Sequence, residues 1–182
     1  MQHHLLHYKG SVFMINLAEA VKLKSILAKK VQELINELHR SSFVTVEKGQ
    51  APKTSNRAMA VIESELAQVR LDIRTLDRLV YEANIQNKVD FKGEQLALVE
   101  AIELASQLRA EAELCKHLGT HEKETVRMGY GEGTMLYEIA MFEPDAYRER
   151  SLQLEKDAHK LSNLINAKNY SVEIQFDDSR YF

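Results

Sequence analysis

One uninterrupted heptad pattern limits what this chain can fold into. Between residues 59 and 83, apolar side chains recur at alternating spacings of three and four: Met59, Ile62, Leu66, Val69, Ile73, Leu76, Val80 and Ala83. This spacing places them on one face of a helix of about 25 residues, a rod nearly 40 Å long at about 1.5 Å per residue. A single helix of this kind is not stable in water, so the apolar face predicts a partner helix.

A first helix is predicted from about residue 17 to about residue 40. Asn16 is suited to the N-cap, and Glu19, three residues later, completes a capping pair that satisfies amide groups of the first turn. The segment 41–56 then breaks the pattern with Gly49 and Pro52 and is expected to form a loop or a short extended piece. The apolar seam of this helix contains Leu27, Val31, Leu34 and Leu38.

Two more helices are predicted after a turn at residues 90–93. The third helix ends at Gly119, and the fourth begins at Pro144, whose fixed φ suits a first helical turn, and ends near Lys168. The seam of the third helix contains Leu98, Ile102, Ala105, Leu108, Ala112 and Cys115. The seam of the fourth contains Tyr147, Leu154, Ala158, Leu161 and Ile165.

Two short segments are predicted to be extended. Residues 170–176 alternate apolar and polar side chains, as a half-buried strand does, and residues 135–142 are rich in side chains that favour strands. We expect these two segments to pair with each other. The predicted fold class is therefore mainly α, a long antiparallel helical hairpin or bundle with heptad seams, plus a small β element near residues 135–142 and 170–176.

Length and composition favour one domain. The chain has 182 residues with only 7 Gly and 2 Pro, which is typical of long helices in a single unit. We expect this helical domain to span residues 14–176. Residues 1–13 lack periodicity and precede a second methionine, so they are interpreted as a non-native or disordered extension, and residues 177–182 as a flexible tail.

Charge, cysteine content and hydropathy exclude several classes of protein. With 24 basic and 27 acidic side chains, the net charge of −3 does not suit binding to nucleic-acid phosphates. No run approaches the roughly 18 apolar residues that span a bilayer, so no transmembrane segment is expected. A single cysteine cannot form an internal disulfide, and the reducing cytoplasm is the expected location.

The succession of motifs from residue 14 to about residue 174 resembles the septicolysin-like family of small, largely uncharacterised bacterial proteins. The segments that carry the resemblance are INLAEAVKLKSILAKKVQELINEL, VEKGQAP, LDRLVYEANIQNKVDF, KGEQLALVEAIELASQL and LEKDAHKLSNLINAKNYSVEI. The polar positions matching the family pattern are Glu47, Gly49, Pro52, Asn84, Asn87, Asn166 and Asn169. The family usually has Trp after the last of these, where this chain has Tyr170. The family name implies a cytolysin that acts on membranes.

The asparagines at the ends of the second and fourth helices have two interpretations. They are suited to helix C-caps, because a short amide tolerates left-handed backbone and bonds nearby carbonyls. Alternatively, both helix ends meet and line a polar pocket for a small polar ligand. That pocket would contain Glu82, Asn84, Asn87, Asn166, Asn169 and Tyr170. Amides supply neither acid nor base at neutral pH, so this site would bind rather than catalyse.

Cys115, His117 and His121 are close in sequence and are of the residue types that bind transition metals. However, Cys115 and His117 point to different sides of a helix, and Gly119 is expected to end that helix before His121. The alternative is a packed cysteine with two surface histidines. The chain has no HExxH, paired CxxC, GxSxG or Walker motif, so we assign no catalytic residue and no cofactor.

These observations leave three functional hypotheses. The first is a non-enzymatic cytoplasmic helical protein that self-associates as a homo-oligomer and acts as a scaffold or small-ligand binder, because helical hairpins leave apolar surface for a second subunit to cover. The second is the membrane-active, cytolysin-like protein that the family name suggests. The third is a metal-binding protein that uses Cys115, His117 and His121.

Overall fold

Four long helices make up most of the structure, a computed structural model that describes residues 13–51, 57–128 and 135–181. The helices are α1 (Leu17–Ser42), α2 (Met59–Gln86), α3 (Leu98–Gly119) and α4 (Pro144–Ser171). The strands are β1 (Met14–Asn16), β2 (Lys88–Phe91), β3 (Glu94–Ala97), β4 (Glu124–Met128), β5 (Met135–Ile139) and β6 (Glu173–Gln175). The predicted mainly α fold with a small β element is confirmed. The predicted extension lies outside the described residues except for Phe13, as does Pro52 in the first loop.

The chain divides into two compact units. The first unit contains residues 1–84 and 169–182, and the second contains residues 85–168. The described part of the first unit is built on α1 and α2, and that of the second on α3 and α4. Whether residues 14–176 fold as one cooperative domain stays a prediction.

The N-terminus of α1 has the predicted capping arrangement. Asn16 Oδ1 accepts a hydrogen bond from the backbone N–H of Glu19 at 2.8 Å, and Glu19 Oε2 accepts one from the backbone N–H of Asn16 at 2.9 Å. These bonds satisfy two amides that have no acceptor within the helix. Local sequence therefore sets the start of the first helix.

The strand predicted near residues 170–176 exists, but its predicted partner is wrong. β6 pairs with β1 in antiparallel register, with Ile15 opposite Ile174, and the N–H of Leu17 donates to the carbonyl of Val172 at 2.8 Å. β5, in the segment expected to be its partner, pairs with β4 instead. Because β1 directly precedes α1, this pairing ties the end of α4 to the start of α1 within the first unit.

In the first unit, α1 and α2 form an antiparallel pair. Lys24, early in α1, lies 2.6 Å from Asp77 late in α2, whereas Glu37, late in α1, lies 2.9 Å from Arg57, which precedes α2. Asp77 Oδ1 is buried and accepts no hydrogen bond of good angle, but the Lys24 ammonium at that distance neutralises it. The predicted seam of the second helix is buried at Ile62, Leu66, Val69, Leu76, Val80 and Ala83.

Within the first unit, the last described residues contact α2. The hydroxyl of Tyr181 donates to Asp72 Oδ2 at 2.5 Å, and Asp72 lies on α2. The flexibility of residues 177–182 stays a prediction.

In the second unit, α3 and α4 meet along small side chains. The hydroxyl of Ser151 on α4 donates to the carbonyl of Ala112 on α3 at 3.0 Å. The buried positions of α3 are Leu98, Ala101, Ala105, Ala112, Cys115 and Gly119. Ile102, predicted to lie in the seam, is 42% exposed, so that part of the prediction is wrong. The smaller Ala101, which is fully buried, takes its place.

The approach is closest at Gly119. A Cβ atom built on Gly119 would lie 2.9 Å from the backbone nitrogen of Arg148 and 3.0 Å from its Cα. Backbone atoms of a packed helix cannot move away as the end of a flexible side chain can. The absence of a side chain at residue 119 is therefore a condition for this helix packing.

We predict that Gly119→Ala lowers the stability of the protein. Replacing Gly by Ala in a helix normally raises the free energy of unfolding by about 1 kcal/mol, because Ala has the higher helix propensity. Here overpacking should outweigh that gain and leave a net loss of about 1–2 kcal/mol. Urea unfolding followed by circular dichroism measures this difference, with Ser106→Ala at an exposed position of α3 as the control. A Gly119→Ala protein more stable than the natural chain would contradict the close approach.

Candidate interaction surface

β4 and β5 form an antiparallel two-stranded ribbon between α3 and α4, which we call the arm. Val126 lies opposite Tyr137, and Arg127 lies opposite Leu136. Among the described residues, neither strand has a second neighbour. A two-stranded ribbon is at best marginally stable in water unless another surface packs against it. The other two described ribbons contain buried residues, whereas every residue of β5 is exposed, so the arm lacks packing that those ribbons have.

Hydrogen bonds hold the base of the arm. The backbone N–H of Ala140 donates to the carbonyl of Lys123 at 2.9 Å. The Lys123 ammonium donates to the carbonyl of Phe142 at 2.9 Å and to Glu143 Oε1 at 2.6 Å. At the end of α3, the hydroxyl of Thr120 donates to the carbonyl of His117 at 2.7 Å. The three bonds made by Lys123 join the two segments that lead into and out of the arm, whereas the Thr120 bond closes the end of α3.

The two faces of the arm differ in chemistry. One face, the polar face, carries Thr125, Arg127 and Glu138 together with Leu136, and Arg127 forms an ion pair with Glu138 across the strands. The other face, the apolar face, presents large apolar side chains that are between 52% and 67% exposed. The apolar side chains of this face are Val126, Met135, Tyr137 and Ile139, and Glu124, opposite Ile139, is the charged residue at its base. Apolar clusters exposed to this degree are typical of interaction surfaces.

An open cleft of about 640 Å³ lies along the polar face of the arm. Its lining includes Thr125, Arg127 and Glu138 from the arm and Thr120 and His121 from the segment after α3. Because Arg127 is paired with Glu138, the cleft does not concentrate charge of one sign. The described residues thus provide hydrogen-bonding groups here, but no cationic or anionic site.

The residues predicted to line an asparagine pocket are divided between the two compact units. Glu82, Asn84, Asn169 and Tyr170 belong to the first unit, and Asn87 and Asn166 belong to the second. Each lies in or next to the last turns of α2 or α4, as the sequence indicated. Their role in binding a shared ligand stays a prediction.

The interpretation of these asparagines as left-handed helix caps is wrong. Among the described residues, Lys92 is the non-glycine residue with a positive φ, and the asparagines have ordinary backbone conformations. α4 also continues to Ser171, beyond its expected end at Lys168, so Asn166 and Asn169 lie inside the helix. The sequence indicated a helix end three residues too early because asparagine is common at both caps and final turns.

Asn169 has an unmet hydrogen-bonding atom. Its Oδ1 is buried and accepts no hydrogen bond, whereas Glu82, another candidate, is already paired with Arg78 at 2.8 Å. Tyr170 is 64% exposed, and Asn166 is exposed beside a small groove with α3. A buried acceptor without a donor costs about 1–3 kcal/mol, so the amide of Asn169 is the member of the set best suited to receive a donor from a ligand.

The structure does not bring the predicted metal ligands together. Cys115 is 2% exposed in the seam of α3, whereas His117 is exposed on another side of the helix. The rings of His117 and His121 do meet edge to face, with centroids 5.2 Å apart. Across the residues that the structure describes, no three His, Cys, Asp or Glu side chains form a group able to hold a metal ion. The geometry matches a packed cysteine beside two surface histidines.

Sequence reasoning missed an ion pair between the β2–β3 turn and α4, in which the aspartate is buried and the lysine is exposed. Lys92 occupies the turn with φ of 55°, an uncommon conformation for lysine, and its ammonium donates to Asp157 Oδ2 at 2.5 Å. Asp157 is 8% exposed. The hydrogen bond from Lys92 lowers the pKa of the Asp157 carboxyl, against the opposing effect of burial. The charge alternation of α4 gave no sign that this one aspartate faces inward.

Comparison with known proteins identifies a fold relative without an assigned function. No family model matches the chain, and no curated protein matches it. The crystal structure of a functionally unknown conserved protein from Corynebacterium diphtheriae is similar to it, with a TM-score of 0.60 and 20% sequence identity. The match covers 90% of this chain and 100% of that protein. At this identity the likeness shows a shared fold alone.

None of the described helices has both the length and the apolar character that crossing a bilayer requires.

We predict that the ion pair of Asp157 with Lys92 makes stability depend on pH. Because the folded-state pKa of Asp157 lies below its unfolded value of about 3.9, the ionised carboxyl stabilises the fold above that pH. This contribution should be lost as the pH falls through the folded-state pKa. The stability difference between the natural chain and Asp157→Asn should therefore shrink between about pH 5 and about pH 2. Urea unfolding at several pH values measures it.

The matched control is Glu149→Gln, which removes an exposed carboxylate from the same helix. Its stability difference from the natural chain should be small at every pH. An Asp157→Asn difference that stays constant down to pH 2 would show that the ion pair does not stabilise the fold.

Proposed function

We propose that this chain is a non-enzymatic scaffold protein that forms homo-oligomers through the apolar face of the arm. The observation that carries the proposal is the exposure of Val126, Met135, Tyr137 and Ile139 on one side of a two-stranded ribbon. In a monomer these side chains remain in water, although the ribbon needs packing to be stable. A second subunit would cover them.

The polar contacts of the arm support this proposal. Arg127 and Glu138 satisfy each other on the polar face, and Lys123 is bonded at the base. Glu124 lies at the base of the apolar face, opposite Ile139, whereas the other charged side chains of the two strands, Arg127 and Glu138, are engaged on the polar face. That distribution favours a partner that offers apolar side chains rather than a charged ligand.

The apolar face alone provides only part of the required association energy. Covering the exposed half of one such side chain contributes about 1 kcal/mol, so the four described ones contribute a few kcal/mol per arm. Losing translational and rotational freedom costs about 4–15 kcal/mol. A stable oligomer therefore needs two symmetric copies of this contact, further main-chain hydrogen bonds, or both.

The proposal includes the cytoplasm as location and membership of the septicolysin-like family. The succession of segments between residues 14 and 174 supports the family, and a lone buried Cys115, which needs no oxidising compartment, supports the location.

The membrane-active alternative is tested directly by leakage of dye from phosphatidylcholine and phosphatidylglycerol vesicles. We expect no release; rapid release at submicromolar protein would favour that alternative.

A second candidate function is the binding of a small polar ligand near Asn169. The donor-free, buried Oδ1 of that residue supports it. Native mass spectrometry of untagged protein reads subunit number, retained small molecules and metals together. A stoichiometric small molecule that Asn169→Leu loses would support ligand binding. Stoichiometric zinc, iron or manganese lost in His117→Ala would support the metal-binding alternative.

We predict that Tyr137→Lys weakens self-association at least tenfold. The substitution places a charge at the centre of the apolar face, where a partner would have to desolvate it. Sedimentation velocity over a range of protein concentrations measures the dissociation constants of the natural chain and the variant.

The control is Thr125→Lys, which adds the same charge to the same arm on its polar face. It should leave the dissociation constant within about twofold of the natural value, because that face stays in water. A natural chain that is monomeric at every concentration would overturn the proposed function, as would equal effects of the two substitutions.

A further inference from the structure

A second segment of the chain has the properties of a strand without a strand partner. Phe43 ends α1 with an extended backbone, at φ −136° and ψ 137°, and Val44, Thr45 and Val46 follow it. β-branched and aromatic residues of this kind favour strands. We propose that this segment, Phe43–Val46, of one copy adds to the open edge of β5 in a second copy and extends the arm to three strands. The inference rests on the proposed self-association.

The segment exposes both its side chains and its backbone. Phe43 is 88% exposed, and Val44 and Val46 are 53% and 43% exposed. Between Val44 and Val46, no backbone hydrogen bond to another residue of the described chain is formed, and the next such bond is the turn from Gln50 to Glu47. Unpaired amides and carbonyls beside apolar side chains provide what strand addition requires.

β5 offers a matching edge. It pairs with β4 on one side, and in an antiparallel pair every second residue directs its N–H and C=O to the other side. Among the described residues nothing pairs with that outer side. β5 is five residues long, close to the four residues of the segment Phe43–Val46, so the two edges are similar in length.

The side-chain patterns of the two strands also agree. In β5, Met135, Tyr137 and Ile139 lie on the apolar face. The segment alternates in the same period, with Val44 and Val46 on one side and Phe43 and Thr45 on the other. Pairing in phase places both valines on the apolar face, and it places Phe43 and Thr45 on the polar face, which also carries Leu136. A slip of one residue would reverse this, so the pattern selects the phase.

Strand addition supplies what the apolar face lacks. Main-chain hydrogen bonds form along the edge of β5, and the two valines widen the apolar surface that the second subunit covers. In a two-fold symmetric dimer the contact occurs twice, once from each copy. The segment and the arm, each incomplete alone, would complete each other between subunits.

A proline substitution tests the pairing of the segment. Thr45→Pro removes a backbone N–H and cannot be accommodated in a central ladder, but it suits an unpaired extended chain. The control, Ala51→Pro, makes the same change at an exposed residue of the same loop, outside the proposed strand. Sedimentation velocity should show a dissociation constant at least tenfold larger for Thr45→Pro than for the natural chain. For Ala51→Pro the dissociation constant should change less than twofold. The helical circular dichroism of both should equal that of the natural chain.

Cysteine cross-linking tests the identity of the partner strand. One tagged chain carries Val44→Cys, and a chain with a different tag carries Met135→Cys, Tyr137→Cys or Ile139→Cys. The natural Cys115 is buried and stays unreactive in the folded protein. After mixing and mild oxidation, a disulfide-linked dimer containing both tags is expected for at least one of the three positions. Val61→Cys, exposed on α2, replaces Val44→Cys in the control and should give no such product.

The outcomes separate the two proposals. A monomeric natural chain would overturn the proposed function together with this inference. An oligomer that is insensitive to Thr45→Pro and gives no product between residue 44 and β5 would overturn the inference alone. A disulfide that joins two arm-cysteine chains, with none that joins residue 44 to β5, would likewise show that Phe43–Val46 of a second copy is not the partner of β5.

Discussion

The arm depends on the close contact between α3 and α4 at Gly119. The chain leaves α3 at this residue and enters α4 at Pro144, and the guanidinium of Arg148 donates to the carbonyl of Gly119 at 2.8 Å. Because backbone meets backbone there, the two ends of the arm start from helices in direct contact. Lys123 and Ala140 then continue the pairing outward from that contact. These hydrogen bonds at the base fix the register of a ribbon that has little packing of its own.

The helices could be predicted from the sequence because their signals are local. The capping pair of Asn16 and Glu19, the heptads between residues 59 and 83 and the proline at residue 144 each act within a few residues, and all of them appear in the structure. The seam of α3 could be predicted less well. There the spacing allowed either Ala101 or Ile102 to face inward, and the structure buries Ala101, a choice that depends on tertiary packing rather than on local spacing.

Strand partners and polar contacts between distant residues could not be predicted in the same way. The alternation in residues 170–176 shows a half-buried strand, but not its neighbour, and β1, with three residues, is too short to be noticed. Lys92 and Asp157 are 65 residues apart, and nothing local marks either of them. The asparagines, conversely, stood out in the sequence, yet the structure gives a buried, unmet acceptor only to Asn169 among the described candidates.

The composition of β5 argues that its edge is kept for pairing. Proteins that must stay monomeric protect such edges with lysine, proline or a bulge. Here the single charged residue of the strand, Glu138, is neutralised by Arg127 on β4, and the residues around it are Met135, Leu136, Tyr137 and Ile139. The segment after α1 likewise lacks a protecting charge, because its first charged residue, Glu47, comes only after the two valines. Two unprotected β-forming segments in one chain would be an aggregation hazard in an isolated monomer. The proposed pairing between copies would remove that hazard and would use both segments in one interface.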